Sequence, residues 1–124
     1  MAKAYTDIEQ SRKLMEFLPL DSADCYWSYD NLQKFHRIEW FEDGYAKHSQ
    51  LQENDICAWS LDALFDILPK TIGSHSKMMG YFDDAYHCDY LDEDGEGIGL
   101  CTTADNLVDA VYEMVLIQQY NITY

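Results

Sequence analysis

The sequence contains no lysine or arginine after Lys77, only two prolines, and no apolar run long enough to cross a membrane. A membrane-spanning helix needs roughly 18 consecutive apolar residues, so we expect no membrane association. The first ten residues lack the apolar stretch of a signal peptide, which makes the cytoplasm the expected location. No CxxC pair, Gly-x-Ser-x-Gly elbow or phosphate-binding loop is present. We therefore predict a protein that is not an enzyme, with no catalytic residues and no cofactor.

The charge is strongly acidic and unevenly distributed. Eight basic residues against 23 acidic ones give a net charge of −15 and a pI near 4.2. Residues 78–124 hold ten acids and no lysine or arginine, which is −10 of that total. Nucleic acids and anionic membranes require basic surface, so neither is expected as a direct partner. A basic protein or a cation remains as a candidate partner.

The sequence predicts three helices and five strands. Helical apolar spacing follows a Thr6/Glu9 capping box and ends at Pro19, and a second helix begins after Ser60 and ends before Pro69. A third helix is expected from Ala104 to about residue 119, capped by Thr102 or Thr103. Strands are predicted at 22–29, 35–41, 78–82, 85–91 and 98–101, and loops at 47–55 and 71–77.

These elements predict an α+β fold in a single domain, residues 1–124. The expected architecture is a small, mostly antiparallel sheet of four or five strands with three helices packed on it. The helical periodicity selects one core, which comprises Leu14, Leu18, Leu64, Leu68, Val111 and Val115. Residues 14–19 match residues 64–69 in pattern at an offset of fifty, which is consistent with an internal helix–strand–strand duplication and with chance similarity between amphipathic helices.

The four cysteines, at 25, 57, 88 and 101, lie beside apolar or aromatic residues, so buried free thiols are expected. Zinc would have to use His87, Cys88 and Cys101. Because adjacent residues on a strand point to opposite faces, His87 and Cys88 would not converge, and we predict no metal site. The loop at 89–96 does not match the EF-hand spacing. A looser cation site at Asp92, Asp94 and Glu96 is the alternative to a solvated acidic turn.

Several segments together resemble a known group of sequences. They are residues 6–19, residues 59–69, the Tyr86-His87-Cys88 tripeptide, and residues 103–114. These segments are similar to a family of short, acidic, uncharacterised proteins found in genomes and mobile elements of gut anaerobes. The resemblance implies an intracellular bacterial or phage-like setting. It implies no catalytic or binding residues, because no activity is established for that family.

The function predicted from the sequence is a non-enzymatic interaction or inhibitor protein. It would present an acidic face to a basic protein, with a nucleic-acid-binding protein as the natural candidate. Asp105, Asp109 and Glu113 recur at four-residue spacing, so one helical row would place carboxylates about 6 Å apart along the axis, as phosphates are on DNA. The predicted partner-binding residues are Asp92, Glu93, Asp94, Glu96, Asp105, Asp109 and Glu113.

Two alternatives stay open at this point. The first is a cation-binding or enzymatic module that uses the acidic loop around Asp92–Glu96 together with His87. The second is an obligate oligomer whose interface uses exposed aromatic side chains.

Overall fold

The computed structural model describes residues 3–119, and within that range the protein is α+β, as predicted. The strands form two antiparallel sheets, of three and four strands, rather than one sheet. The chain divides into two compact units. The amino-terminal unit is Tyr5–Ala63, and the carboxyl-terminal unit combines the start of the chain with Leu64 onward. The assignment of residues 1–124 to a single domain stays a prediction.

The amino-terminal unit is built on the three-stranded sheet. Its elements are helix α1 (Ile8–Met15), a 3-10 turn (Leu20–Ser22), strands β1 (Cys25–Asp30) and β2 (Phe35–Trp40), the one-turn helix α2 (Lys47–Gln50) and strand β3 (Ile56–Ala58). The strand order is β2-β1-β3, with both pairs antiparallel. Helix α2 lies within the loop that the sequence predicted at 47–55, so that assignment was wrong for residues 47–50.

The cap of α1 lies one residue later than predicted. Asp7 Oδ1 accepts a hydrogen bond from the Gln10 amide at 2.8 Å, and Gln10 Oε1 accepts one from the Asp7 amide at 3.1 Å. This pair forms a capping box. Thr6 is instead fully buried, where its Oγ1 accepts from the Trp59 amide and shares a hydrogen bond with the Ser11 hydroxyl. The Thr6 hydroxyl therefore joins α1 to the end of β3.

The carboxyl-terminal unit is built on the four-stranded sheet. Its elements are helix α3 (Leu61–Ile67, within which the division falls), strands β4 (Thr71–Ile72), β5 (His75–Phe82), β6 (Ala85–Leu91) and β7 (Gly97–Ala104), and helix α4 (Leu107–Ile117). The sheet order is β4-β5-β6-β7, all antiparallel. The β5–β6 hairpin was predicted correctly. The loop predicted at 71–77 was wrong, because it contains β4 and the first residues of β5.

Helix α4 begins three residues later than predicted. Asn106 is the N-cap, and its side-chain oxygen accepts from the Asp109 amide at 2.9 Å. Thr102 and Thr103 are the last part of β7 and not helix caps. The buried Thr102 hydroxyl donates to the Ala110 carbonyl, which fixes α4 against one face of the sheet. The opposite face is called the outer face below.

The predicted core residues are all buried. Leu14 and Leu18 lie in the amino-terminal unit, and the other four belong to the carboxyl-terminal unit. The four in the carboxyl-terminal unit are Leu64, Leu68, Val111 and Val115.

A helix followed by an antiparallel hairpin occurs twice, as α1–β1–β2 and, with β4 between helix and hairpin, as α3–β5–β6. The added strands differ, since β3 pairs with the first strand of its hairpin, whereas β7 pairs with the second strand of the other. An internal duplication stays a prediction.

Candidate functional site

Five of the seven predicted acidic residues lie at the two ends of the four-stranded sheet, and the other two, Asp109 and Glu113, lie on α4. Leu91 pairs with Gly97, so the turn between β6 and β7 lies at one end. That turn carries Asp92, Glu93, Asp94 and Glu96. Tyr86 pairs with Ala104, so Asp105 lies at the other end, together with the Asp83-Asp84 turn between β5 and β6. At about 3.3 Å per residue, the seven residues of β6 separate the two ends by about 23 Å.

The three-membered helical row does not exist. Asp105 precedes the N-cap, so it is outside α4. Asp109 lies in the first turn, where its carboxylate accepts from Asn106 Nδ2 at 2.9 Å and from Lys3 Nζ at 2.8 Å. Glu113, one turn further on in α4, is exposed. The prediction of a row was wrong because it placed the start of the helix three residues too early.

The β6–β7 turn is organised by one of its own carboxylates. Asp92 Oδ1 accepts from the amides of Glu96 and Asp94, both at 2.9 Å. These bonds, led by the one from Glu96, lower the pKa of the Asp92 carboxyl below its ordinary value, and His75 Nε2 lies 4.0 Å away. Glu93, Asp94 and Glu96 are exposed, and they form no ion pair within residues 3–119. The turn therefore offers its other carboxylates to solvent while Asp92 holds its shape.

His87 does not belong to this turn. It lies on β6 with Asp89, and both side chains share the outer face with Cys101 of β7. A nitrogen of His87, a carboxylate oxygen of Asp89 and the sulfur of Cys101 all lie within 4.8 Å of one another. Cys88 points to the opposite face, opposite Thr102, as strand alternation requires. His87 therefore does not form a site with the acidic loop around Asp92–Glu96, as the alternative would require.

Sequence reasoning missed Asp89 as the third member of this cluster. The available signal was the His87-x-Asp89 spacing, which places both residues on one face of a strand. The expectation of four buried thiols was also wrong at one position. Cys25, Cys57 and Cys88 are buried free thiols, whereas Cys101 is an exposed one.

The surroundings of Cys101 favour its thiol over its thiolate. Desolvation of the sulfur and, after it, the nearby Asp89 carboxylate raise the pKa of the Cys101 thiol to about 11. A nucleophilic cysteine needs the opposite shift, because the thiolate is the reactive form. His87 Nε2 is 3.0 Å from the Phe82 carbonyl, so a backbone carbonyl and not a carboxylate orients the imidazole.

Large apolar side chains are exposed next to the cluster. Met78 pairs with Asp89 across β5 and β6, and it is 50% exposed. Phe82 is 48% exposed, and its ring stacks on that of His87 at 3.8 Å. The outer face therefore carries exposed apolar side chains beside the cluster, with carboxylates at both of its ends.

Two clefts in the described chain lie away from these residues. One of about 480 Å³ is lined by Asp66, Lys70 and Lys77 at the end of α3. Lys77 Nζ donates to the Phe65 carbonyl there at 2.7 Å. Another cleft, of about 350 Å³, is lined by residues of the amino-terminal unit that include Arg12 and His36. Neither cleft contains a predicted partner-binding residue.

Comparison with known proteins adds no assignment. No protein-family model, curated protein or solved structure matches the chain significantly, so the resemblance to an acidic family of gut anaerobes gains no support from them. Among the described residues, no helix is long and apolar enough to span a membrane.

Proposed function

We propose that this protein is a non-enzymatic, cytoplasmic interaction protein that binds a basic protein through the acidic ends of its four-stranded sheet. A nucleic-acid-binding protein of a bacterial or phage setting is the natural partner. The observation that carries the proposal is the set of exposed carboxylates at Glu93, Asp94 and Glu96, which form no ion pair within residues 3–119.

The remaining predicted residues contribute to different degrees. Asp105 is exposed at the opposite end of the sheet and has no ion pair in the described range, so it belongs to the second acidic end with Asp83 and Asp84. Asp109 is already neutralised in part by Lys3, and the Asp92 carboxylate accepts hydrogen bonds from amides of its own turn. The partner would therefore meet two separate acidic groups, not a continuous phosphate-like row.

The outer face between the two ends supports the same function. Protein interfaces generally combine an apolar, well-packed centre with a polar rim that remains accessible to solvent. Met78 and Phe82 supply exposed apolar surface between the acidic ends. Opposite charges at the rim would chiefly accelerate association and select the partner, while the apolar centre would contribute affinity.

The test is affinity capture from a bacterial extract followed by binding measurements with each purified captured protein. The variant Glu93→Lys/Asp94→Lys/Glu96→Lys reverses the exposed carboxylates of the β6–β7 turn. We expect a captured basic protein whose association rate falls as salt rises, because exposed charges are screened over about 8 Å at physiological ionic strength. The variant should associate at least about tenfold more slowly at low salt.

A matched control changes the net charge by the same amount elsewhere. Glu42, Asp43 and Glu53 are exposed residues of the amino-terminal unit, and Glu42→Lys/Asp43→Lys/Glu53→Lys should bind nearly as the unmodified protein does. Equal losses in both variants would mean that net charge alone attracts the captured protein. Equal binding by all three proteins would remove the β6–β7 turn from the interface.

A further inference from the structure

Three potential metal ligands converge on the outer face of the four-stranded sheet. His87 and Asp89 are two residues apart on β6, so they share a face. Cys101 of β7 is the direct cross-strand neighbour of Asp89. Their ligand atoms all lie within 4.8 Å of one another, and Cys101 Sγ is 3.7 Å from His87 Nδ1. In a tetrahedral zinc site with ordinary bond lengths, ligand atoms are about 3.3–3.8 Å apart.

The imidazole of His87 is held in the orientation that a metal ligand needs. Its Nε2 is 3.0 Å from the Phe82 carbonyl, and a hydrogen bond there requires the proton on Nε2. The Nδ1 lone pair is then free to face Cys101 Sγ. Metal-binding histidines commonly donate their second N–H to a backbone carbonyl in this way, which fixes the tautomer and the ring. The stacked Phe82 ring restricts the imidazole plane further.

The carboxylate of Asp89 provides an independent observation. The residue is only 6% exposed, and its Oδ1 is buried with no hydrogen-bond partner in the described part of the chain. A buried oxygen without a partner is costly, and a buried carboxylate usually has a counter-ion or a metal. Lys77 of the adjacent strand does not fill this role, because it pairs with Tyr90 and its amine donates to carbonyls at the end of α3.

We propose that His87, Asp89 and Cys101 bind one zinc-class divalent cation, through Nδ1, a carboxylate oxygen and Sγ. One nitrogen, one oxygen and one sulfur ligand suit Zn²⁺, and three protein ligands leave a fourth position for water. Cys101 is exposed, and Gly80 places no side chain opposite His87, so the fourth position faces solvent. On binding, the Cys101 thiol releases its proton to solvent and the thiolate forms the bond to the metal.

The charge balance favours this assignment. One thiolate and one carboxylate neutralise a divalent cation, with a neutral imidazole as the third ligand. The bound cation would also relieve the buried carboxylate of Asp89. This site lies on the same outer face as the proposed interface, but its ligands include none of the exposed carboxylates of the β6–β7 turn, so metal binding can be tested without the basic partner.

The test is titration of the purified, metal-free protein with Co²⁺ and Zn²⁺. Co²⁺ should produce a thiolate charge-transfer band and intense visible bands of a tetrahedral site, at one equivalent per chain, and Zn²⁺ should displace it. Cys101→Ser should abolish the charge-transfer band. His87→Gln and Asp89→Asn should each weaken Zn²⁺ binding by about tenfold or more. Circular dichroism confirms that each variant is folded.

Matched controls separate the cluster from adventitious binding. His48→Gln changes an exposed histidine outside the cluster, and Glu93→Gln changes an exposed acid of the β6–β7 turn. Both should bind Zn²⁺ as the unmodified protein does. Asp89→Asn also removes the buried charge, so the metal-free variant should be at least as stable as the unmodified protein while losing affinity.

Three outcomes would overturn the proposal. The first is the absence of a thiolate band with Co²⁺, and the second is a band that survives in Cys101→Ser. The third is full Zn²⁺ affinity in Asp89→Asn, which would reduce the site to a histidine–cysteine pair without a carboxylate ligand.

Discussion

At the scale of single residues, buried aromatic side chains keep their polar tips bonded. Trp59 and Tyr90 are the largest fully buried side chains of the described chain. Trp59 Nε1 donates to the Ser22 hydroxyl at 3.0 Å, and the Tyr90 hydroxyl donates to the Pro69 carbonyl at 2.6 Å. Burial raises the pKa of Tyr90 to about 12. Each ring therefore contributes apolar burial without leaving a buried donor unpaired.

Leu64 gives a residue-scale prediction about the core. Its side chain is fully buried in α3, so Leu64→Ala should lower the free energy of unfolding by about 2–5 kcal/mol. The matched control is Leu32→Ala, because Leu32 is 93% exposed and should change it by less than about 0.5 kcal/mol. Urea unfolding of both variants measures the difference. Equal values for the two would contradict the burial of Leu64.

At the scale of elements, the β5–β6 hairpin turns through two left-handed residues. Asp83 and Asp84 have φ of 52° and 62°. Two-residue hairpin turns favour this geometry because its twist matches that of the strands, and Asp-Gly or Asn-Gly is the preferred sequence. Asp84 therefore occupies a position where glycine is the more favourable residue.

This geometry predicts that Asp84→Gly stabilises the protein. Removing the left-handed strain and one negative charge should outweigh the added chain entropy of glycine, for a net gain of about 0.5–1 kcal/mol. Asp84→Ala is the control, since it removes the same charge but retains a Cβ in the left-handed region. Thermal unfolding should rank glycine above aspartate and aspartate above alanine. A variant with alanine as stable as the one with glycine would show that charge alone matters.

At the scale of the whole molecule, the two units carry nearly equal net negative charge. The amino-terminal unit has twelve acids and five basic residues, a net of −7. The carboxyl-terminal unit has eleven acids and three basic residues, including Lys3, a net of −8. The sharp asymmetry along the sequence is therefore smaller between the folded units, because the boundary does not fall at Lys77.

This charge predicts a salt-dependent stability. At pH 7, raising the ionic strength from about 0.01 M to about 0.15 M shortens the screening length from about 30 Å to about 8 Å. Repulsion among the acids should weaken, so the midpoint of urea unfolding should rise. Near pH 4.2, where the net charge approaches zero, the same change in salt should have little effect. A midpoint that falls with salt at pH 7 would mean that attractive ion pairs dominate.

Much of the fold follows from local sequence signals. Pro19, Pro69 and the Asp83-Asp84 turn mark the ends of elements, and helical periodicity identifies the buried leucines and valines. These signals act between near neighbours, so they can be read without a structure. They do not reveal β3 and β4, which have three and two residues, because such short strands show no periodicity.

The sequence by itself determined the α+β class, the acidic charge, six buried leucines and valines of the core, and the β5–β6 hairpin. The tertiary structure alone decided that the strands form two sheets and that Asp89 joins His87 and Cys101. The physical reason is the range of the interactions. Caps, turns and periodicity depend on residues a few positions apart, whereas strand pairing brings Asp89 and Cys101 together across twelve positions and creates a cluster that neither local segment contains.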